Sequence, residues 1–173
     1  MVNIRVLKKS DKRDNFSCKE IEIDYFFQKF AGQNQFKHFI GTTYIATDEE
    51  NILGFITLSS GSLDKNSLPK DIQKKLPLYP LPILHISRIG VDSRYQNKGI
   101  GKMLMLLAFR LAVEQKEKFG SIGIRVDAKD KAIKFYETLG FVELEVEEGL
   151  HKSYTPTSMF LPMQTIQKVL KCT

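Results

Sequence analysis

The strand-like run "PILHISRIGVD" (Pro82–Asp92) is followed, across "SRYQNKGIG", by a helical apolar pattern that continues to about Lys118. Nothing else in the chain constrains its fold as much. Mostly apolar extended sequence has to be covered by neighbouring elements. A helix that follows at once, with Leu104, Leu107, Ala108, Leu111 and Ala112 on one face, packs back onto the sheet it came from. The central unit is therefore expected to be β–turn–α.

The turn itself poses a chemical question, because Gly99 and Gly101 stand among Lys98 and Lys102. A helix start carries unpaired amides and partial positive charge, which attract phosphate. Glycines ahead of it allow positive φ and close backbone approach, and successive N–H groups form an anion nest. The candidate donors are the amides from Asn97 to Lys102. A plain tight connection between strand and helix accounts for the glycines as well, and the residues alone leave both readings open. Spacing removes two others. A Walker loop needs Ser or Thr after its Gly-Lys, where Met103 stands. The dinucleotide fingerprint needs a third glycine where Leu104 stands.

Elsewhere the chain alternates short strands and helices. "NIRVL" reads as a strand, and Ile21, Tyr25, Phe26, Phe27 and Phe30 mark an amphipathic helix over Glu20 to Phe36. "TTYIAT", "DEEN" and "ILGFITLSSGSL" form a hairpin. "LPKDIQKKL" is a short helix opened by Pro69, and Pro77, Pro80 and Pro82 mark an extended approach to the central strand. After Gly120 come the strand "SIGIRVDA", the helix "KDKAIKFYETLGF" stopped by Gly140, the strands "FVELEV" and "TSMFLP", and a last helix over Met163 to Leu170. This mixture argues an α/β (α+β) mixed sheet covered by helices.

With 173 residues, no repeat and no linker, one domain spanning 1–173 is expected. The first residues lack an apolar core of signal-peptide length, and no stretch is long enough to span a bilayer, so no membrane association is expected. Cys18 and Cys172 are too far apart for a ligand pair, and His38, His85 and His151 are dispersed. A reduced, cytoplasmic setting without a metal is the expectation. The net charge of +6 gathers at Lys8–Arg13, Lys70–Lys75, Lys98–Lys102 and Lys116–Lys118, against the acidic "EVEEG" at Glu145–Gly149. Such a field favours anionic ligands such as nucleotides or RNA, although a solvated face explains any single cluster.

"ISRIGVDSRYQNKGIGKMLM" resembles the coenzyme A motif of the GCN5-related N-acetyltransferases (GNAT), and "AIKFYETLGF" resembles their second signature. Lys129 departs from the family, where many members carry Asn. The resemblance implies a central, mostly antiparallel sheet with helices on both faces and a β–turn–α acetyl-CoA site. It implies acetyl-CoA as cofactor and no metal. Backbone groups of Ile89 and Val91 would orient the pantetheine arm, and Gly90 would leave room for it. Gln96, Asn97, Lys98, Gly99, Ile100, Gly101 and Lys102 would hold the pyrophosphate. Tyr136 would protonate the departing thiolate, the alternative being that it packs beside Phe135.

The acceptor side is less defined. Arg88 would touch substrate or RNA phosphate, or make a structural salt bridge. Ser59 and Ser60, in "SSGSL", would line the acceptor cleft or simply end a strand. His85 would be a base or a satisfied packing residue. Lys8, Lys9, Lys12 and Arg13 are possible tRNA phosphate contacts.

"FSCKEIEIDYFFQKFAGQNQ", "YPLPILHISRIGVD" and "MFLPMQTI" narrow the resemblance to the acetyltransferase toxins of bacterial toxin–antitoxin modules. Lys19 departs from the small residue usual there. Those enzymes acetylate the α-amino group of aminoacyl-tRNA and block translation. The same resemblance implies a ribbon–helix–helix antitoxin as partner and a homodimer. The alternatives are acetylation of a small-molecule amine or protein N-terminus, or a non-catalytic acyl-CoA-binding module. An α-amine, with a pKa of roughly 7.8, is partly neutral near pH 7, whereas lysine at roughly 10.4 is not. The former needs a strong base less, which suits a central strand that carries no carboxylate.

Overall fold

The computed structural model describes residues 1–145 and 156–173. The end of "FVELEV", the rest of the acidic run beyond Glu145, and His151 lie outside the described residues.

Seven strands are present: β1 (Asn3–Val6), β2 (Thr42–Thr47), β3 (Ile52–Leu63), β4 (Leu81–Val91), β5 (Gly123–Ala128), β6 (Val142–Glu143) and β7 (Thr157–Pro162). Their order is β1-β2-β3-β4-β5-β7-β6, and the β1–β2, β2–β3, β5–β7 and β6–β7 pairings are antiparallel. The helices are α1 (Ile21–Tyr25), α2 (Ala31–Gln33), α3 (Lys70–Gln73), α4 (Ile100–Phe119), α5 (Ile133–Thr138) and α6 (Met163–Lys171). The chain forms two compact units, Met1–Ser59 with Ile86–Ala108, and Ser60–His85 with Phe109–Thr173.

In the first unit the sheet is covered on both faces. Gly54 and Phe55 are successive on β3 and so point opposite ways. A side chain at Gly54 would meet Ile100 and Leu104 of α4 at 3.0 and 3.2 Å, so α4 lies on that face. On the other face Phe27 stacks on Phe55 with ring centroids 4.1 Å apart, and Phe16 meets both rings edge-on. Leu7, Cys18, Ala31 and Ile45 complete that core.

The N-terminal helix departs from the predicted face. α1 and α2 are each followed by a π-helical turn, Phe26–Phe30 and Asn34–His38. A wider turn shifts the phase of every residue after it, which a 3.6-residue period does not anticipate. Phe27 and Ala31 are buried, whereas Ile21, Tyr25 and Phe30 are exposed.

In the second unit Leu63, Leu68, Leu81, Ile83, Leu144 and Phe160 form the core. Gln115, buried on α4, donates to the carbonyls of Ile83 and Gly120 at 3.3 Å each. The pattern predicted for α4 also shifts: Met105 and Phe109 are buried, while Leu107 and Leu111 are half-buried. The helix presents the 104/105/108/109/112 stripe instead, whose i, i+4 rows lie side by side.

Candidate functional site

The strand–turn–helix connection is built by side chains that satisfy backbone groups. Asp92, 1% exposed, follows β4 and caps the 3-10 turn Ser93–Tyr95 by accepting from the Arg94 amide at 3.0 Å. Its carboxylate also accepts from Arg94 Nε and a terminal guanidinium nitrogen at 2.9 and 3.0 Å, and from the Ser17 amide at 3.3 Å. Burial opposes ionisation here, but the Arg94 and backbone hydrogen bonds outweigh it and hold the carboxyl below the usual range.

Gln96 then fastens the turn, donating from Nε2 to the carbonyls of Val91 and Cys18 at 3.1 and 3.3 Å. Asn97 and Gly99 adopt left-handed φ of 60° and 83°, a conformation that asparagine tolerates and glycine adopts without penalty. A bond from the Met103 amide to the Gly99 carbonyl, 3.1 Å, closes the first turn of α4. The amides of Ile100, Gly101 and Lys102 therefore have no acceptor within the helix. A side chain at Gly99 would meet nothing within 4 Å, so the outer side of the turn is open to a ligand. Asn97, Lys98 and Gly99 are exposed, as is Lys102. Lys98 rests over the Tyr95 ring, 5.3 Å from its centroid, with Arg94 5.5 Å from the same ring. A helix start with free amides and an open side is a geometry that can take an anion.

On β4, Ser87, Ile89 and Val91 are half-buried on one face, and Ile86 and Gly90 are buried on the other. Gly90 has a role that the sequence reading missed. A side chain there would stand 3.0 Å from Phe55, 3.1 Å from Ile23 and 3.4 Å from the Cys18 sulfur. The space left by its missing side chain is taken by the protein's own core. Arg88 lies on that same face with its guanidinium 5.2 Å from the Phe26 ring centroid, and it donates to the Ser87 carbonyl at 2.7 Å. Its partner is thus an aromatic ring, a cation–π contact. Ser59 is half-buried with its hydroxyl 3.3 Å from that of Ser87, and Ser60 is exposed. Among the N-terminal basic residues, Lys9 sits over Phe36 and Arg13 packs on Gly32, whereas Lys8 and Lys12 are exposed.

In the second unit Tyr136 is 2% exposed on α5. Its ring meets Phe135 and Phe141 edge-on, each with centroids 5.3 Å apart. Burial pushes the phenol pKa up, so the hydroxyl keeps its proton at neutral pH. That is the protonation state a proton donor needs. His85 is half-buried beside Asp127, a carboxylate that no local pattern marked because its partners His85 and Ser158 come from other strands. Among the described residues no group of His, Cys, Asp and Glu is placed to hold a metal, and no helix is long and apolar enough to cross a membrane.

Comparison with known proteins places this geometry. Residues 40–143 match the acetyltransferase (GNAT) domain. A tRNA-acetylating toxin of Mycobacterium tuberculosis is 29% identical over 150 residues, covering 85% of this chain and 87% of its own. AtaT complexed with acetyl-methionyl-tRNAfMet superposes with a TM-score of 0.83 at 26% identity, over 98% of this chain and 99% of its own. AtaTR bound with AcCoA gives a TM-score of 0.78 at 26% identity, over 98% of each chain. A β–turn–α unit with an open glycine turn, a seven-stranded sheet and a family match across most of the chain lead to one conclusion: this protein belongs to the GNAT acetyltransferase family.

Proposed function

We propose that the protein is an acetyl-CoA-dependent N-acetyltransferase that acetylates the α-amino group of aminoacyl-tRNA and thereby blocks translation. The observation that carries this reading is the likeness to a tRNA-acetylating toxin along 85% of the chain, which the backbone likeness to AtaT supports over 98%.

In this reading the amides from Asn97 to Lys102 bind the cofactor's diphosphate, and Lys98 and Lys102 add outer charge. The open side of Gly99 supports that assignment. Gln96 keeps the turn in register, and the backbone of Ile89, Gly90 and Val91 holds the pantetheine arm. Of Arg88, Ser59 and Ser60, Ser59 lies with Ser87 on the face of Ile89 and Val91 and lines the acceptor cleft, whereas Arg88 packs on Phe26 at the opposite face and Ser60 points away from Ser59. Tyr136 gives its proton to the thiolate as the C–S bond breaks. Because burial makes the phenol a weak acid, the transfer accompanies bond cleavage and does not precede it. The chain works as one acetyltransferase domain over 1–173, in the cytoplasm, as a homodimer neutralised by a ribbon–helix–helix antitoxin. Those last assignments rest on the family resemblance.

The test incubates the protein with labelled acetyl-CoA and charged tRNA, beside uncharged tRNA, polyamines and a peptide with a free N-terminus. Label recovered as N-acetyl-amino acid from charged tRNA alone is the expected result. Label only on polyamine or peptide overturns the acceptor and leaves acetyl transfer standing. Tight acyl-CoA binding without transfer to any amine overturns the enzyme reading.

A further inference from the structure

We infer that Asp127 is a positioning residue that holds the imidazole of His85 as the proton acceptor for the substrate amine. The inference rests on the acetyl-transfer reading above and adds a base to it.

His85 on β4 and Asp127 on β5 lie face to face, with His85 Nε2 3.7 Å from Asp127 Oδ2. That is longer than a direct hydrogen bond but within ion-pair distance. His85 Nε2 is buried without a hydrogen-bond partner. A buried polar atom of this kind calls for an explanation, and the nearest charge is this carboxylate. Asp127 is itself fixed through its other oxygen. Ser158 donates to Oδ1 at 2.6 Å, and Arg125 donates to the same oxygen at 3.3 Å and to the Ser158 hydroxyl at 3.3 Å. Oδ2 is left aimed at the imidazole.

The carboxyl is held well below its usual range, mainly by His85. Burial opposes this, and Ser158 and Arg125 assist. It therefore stays anionic at any pH at which the enzyme works. A carboxylate that occupies one ring nitrogen sets the tautomer and leaves the other nitrogen to accept a proton.

The His85 side chain is 30% exposed. Because Nε2 is buried, the exposed part of the side chain lies on its other atoms. Across from it, a side chain at Gly61 would stand 2.9 Å from Ile83 Cδ1 and 3.5 Å from His85 Cβ, so β3 does not crowd the imidazole stem. Among the described residues, Asp127 and Arg125 of β5 are the charged groups of this cluster, and Ser158 of β7 and Gly61 of β3 stand beside it. By strand alternation His85 shares its face of β4 with Ser87, Ile89 and Val91.

The step balances as follows. The substrate ammonium gives one proton to the free nitrogen of His85, and the nitrogen lone pair then forms the N–C bond to the thioester carbonyl. The C–S bond breaks as the Tyr136 proton passes to sulfur. A second amine proton returns to the phenolate, the third stays on the amide, and His85 releases its proton to water.

The test measures kcat/KM for charged tRNA against pH, with acetyl-CoA affinity by calorimetry, in wild type, His85→Gln and Asp127→Asn. His85→Gln should lose about 30-fold at pH 7, and its acid-side midpoint should rise toward that of the free amine, about 7.8. Asp127→Asn should lose about tenfold in kcat, with KM for charged tRNA unchanged. Acetyl-CoA affinity should be unchanged in both. Wild-type kcat/KM with an unmoved midpoint in His85→Gln overturns the inference, as does an equal loss of acetyl-CoA affinity in both variants. If wild type acetylates a different amine, the aminoacyl-tRNA reading fails, and the same pH comparison with that amine still decides the role of His85. Transfer to no amine overturns both.

Discussion

Gln96 Nε2 donates to the Val91 carbonyl at 3.1 Å, which ties the residue that opens the glycine turn to the end of the strand before it. A second bond, to the Cys18 carbonyl, ties the same side chain to the N-terminal segment. The turn is thus held from two sides by one amide group. Replacing Gln96 by Ala removes both bonds at an exposed position, at a cost of about 1 kcal/mol. Acetyl-CoA affinity should fall about fivefold and Tm by about 2–4 °C, as calorimetry and thermal melts will record. A Tm loss without loss of affinity would make Gln96 a purely structural tie.

Gly99 and Gly90 should respond in opposite ways to the same substitution. At Gly99 there is open space but a φ of 83°, so Gly99→Ala carries a backbone strain of about 1 kcal/mol and puts a methyl where the ligand approaches. Cofactor affinity should fall about tenfold. At Gly90 the added methyl presses on Phe55 and Ile23, and overpacking costs about 1–3 kcal/mol. Gly90→Ala should therefore lower the urea midpoint of unfolding first, and affinity only secondarily. The two measurements on both variants check this crossing pattern.

Asp92 makes stability depend on pH. Its folded pKa lies below the value of about 3.9 expected in the unfolded chain. Its contribution is therefore full above about pH 4 and is lost as pH falls through the folded value. Asp92→Asn should be less stable than wild type at neutral pH, and the gap should narrow below about pH 4. Urea unfolding at several pH values measures it, and a gap that widens on acidification would contradict the assignment.

Tyr136→Phe keeps the edge-on contacts to Phe135 and Phe141 and removes only the hydroxyl. With the proton donor gone, kcat should drop about 100-fold. Acetyl-CoA affinity should stay within about twofold, and Tm should hold. Steady-state coenzyme A release reads the first quantity and calorimetry the second. Wild-type turnover would leave Tyr136 as a packing residue.

The sequence by itself determined most of the elements and the glycine turn between β4 and α4. The hairpin strands Thr42–Thr47 and Ile52–Leu63, the strand Thr157–Pro162 and the helix behind Pro162 lie where pattern and turn residues put them. The glycine turn was legible for the same reason: positive φ and a bare helix start are local properties, written in adjacent residues. Only the tertiary structure decided which faces are buried and what each polar group meets. The π-turn at Phe26–Phe30 turned Tyr25 and Phe30 outward, against a regular helical period. Gly90 serves core packing because Ile23, Cys18 and Phe55 converge on it from other segments. Asp92 meets the Ser17 amide across 75 residues of chain, and Asp127 meets His85 from a different strand. Such pairs leave no periodic or local trace, since their energy exists only once the strands have been brought side by side.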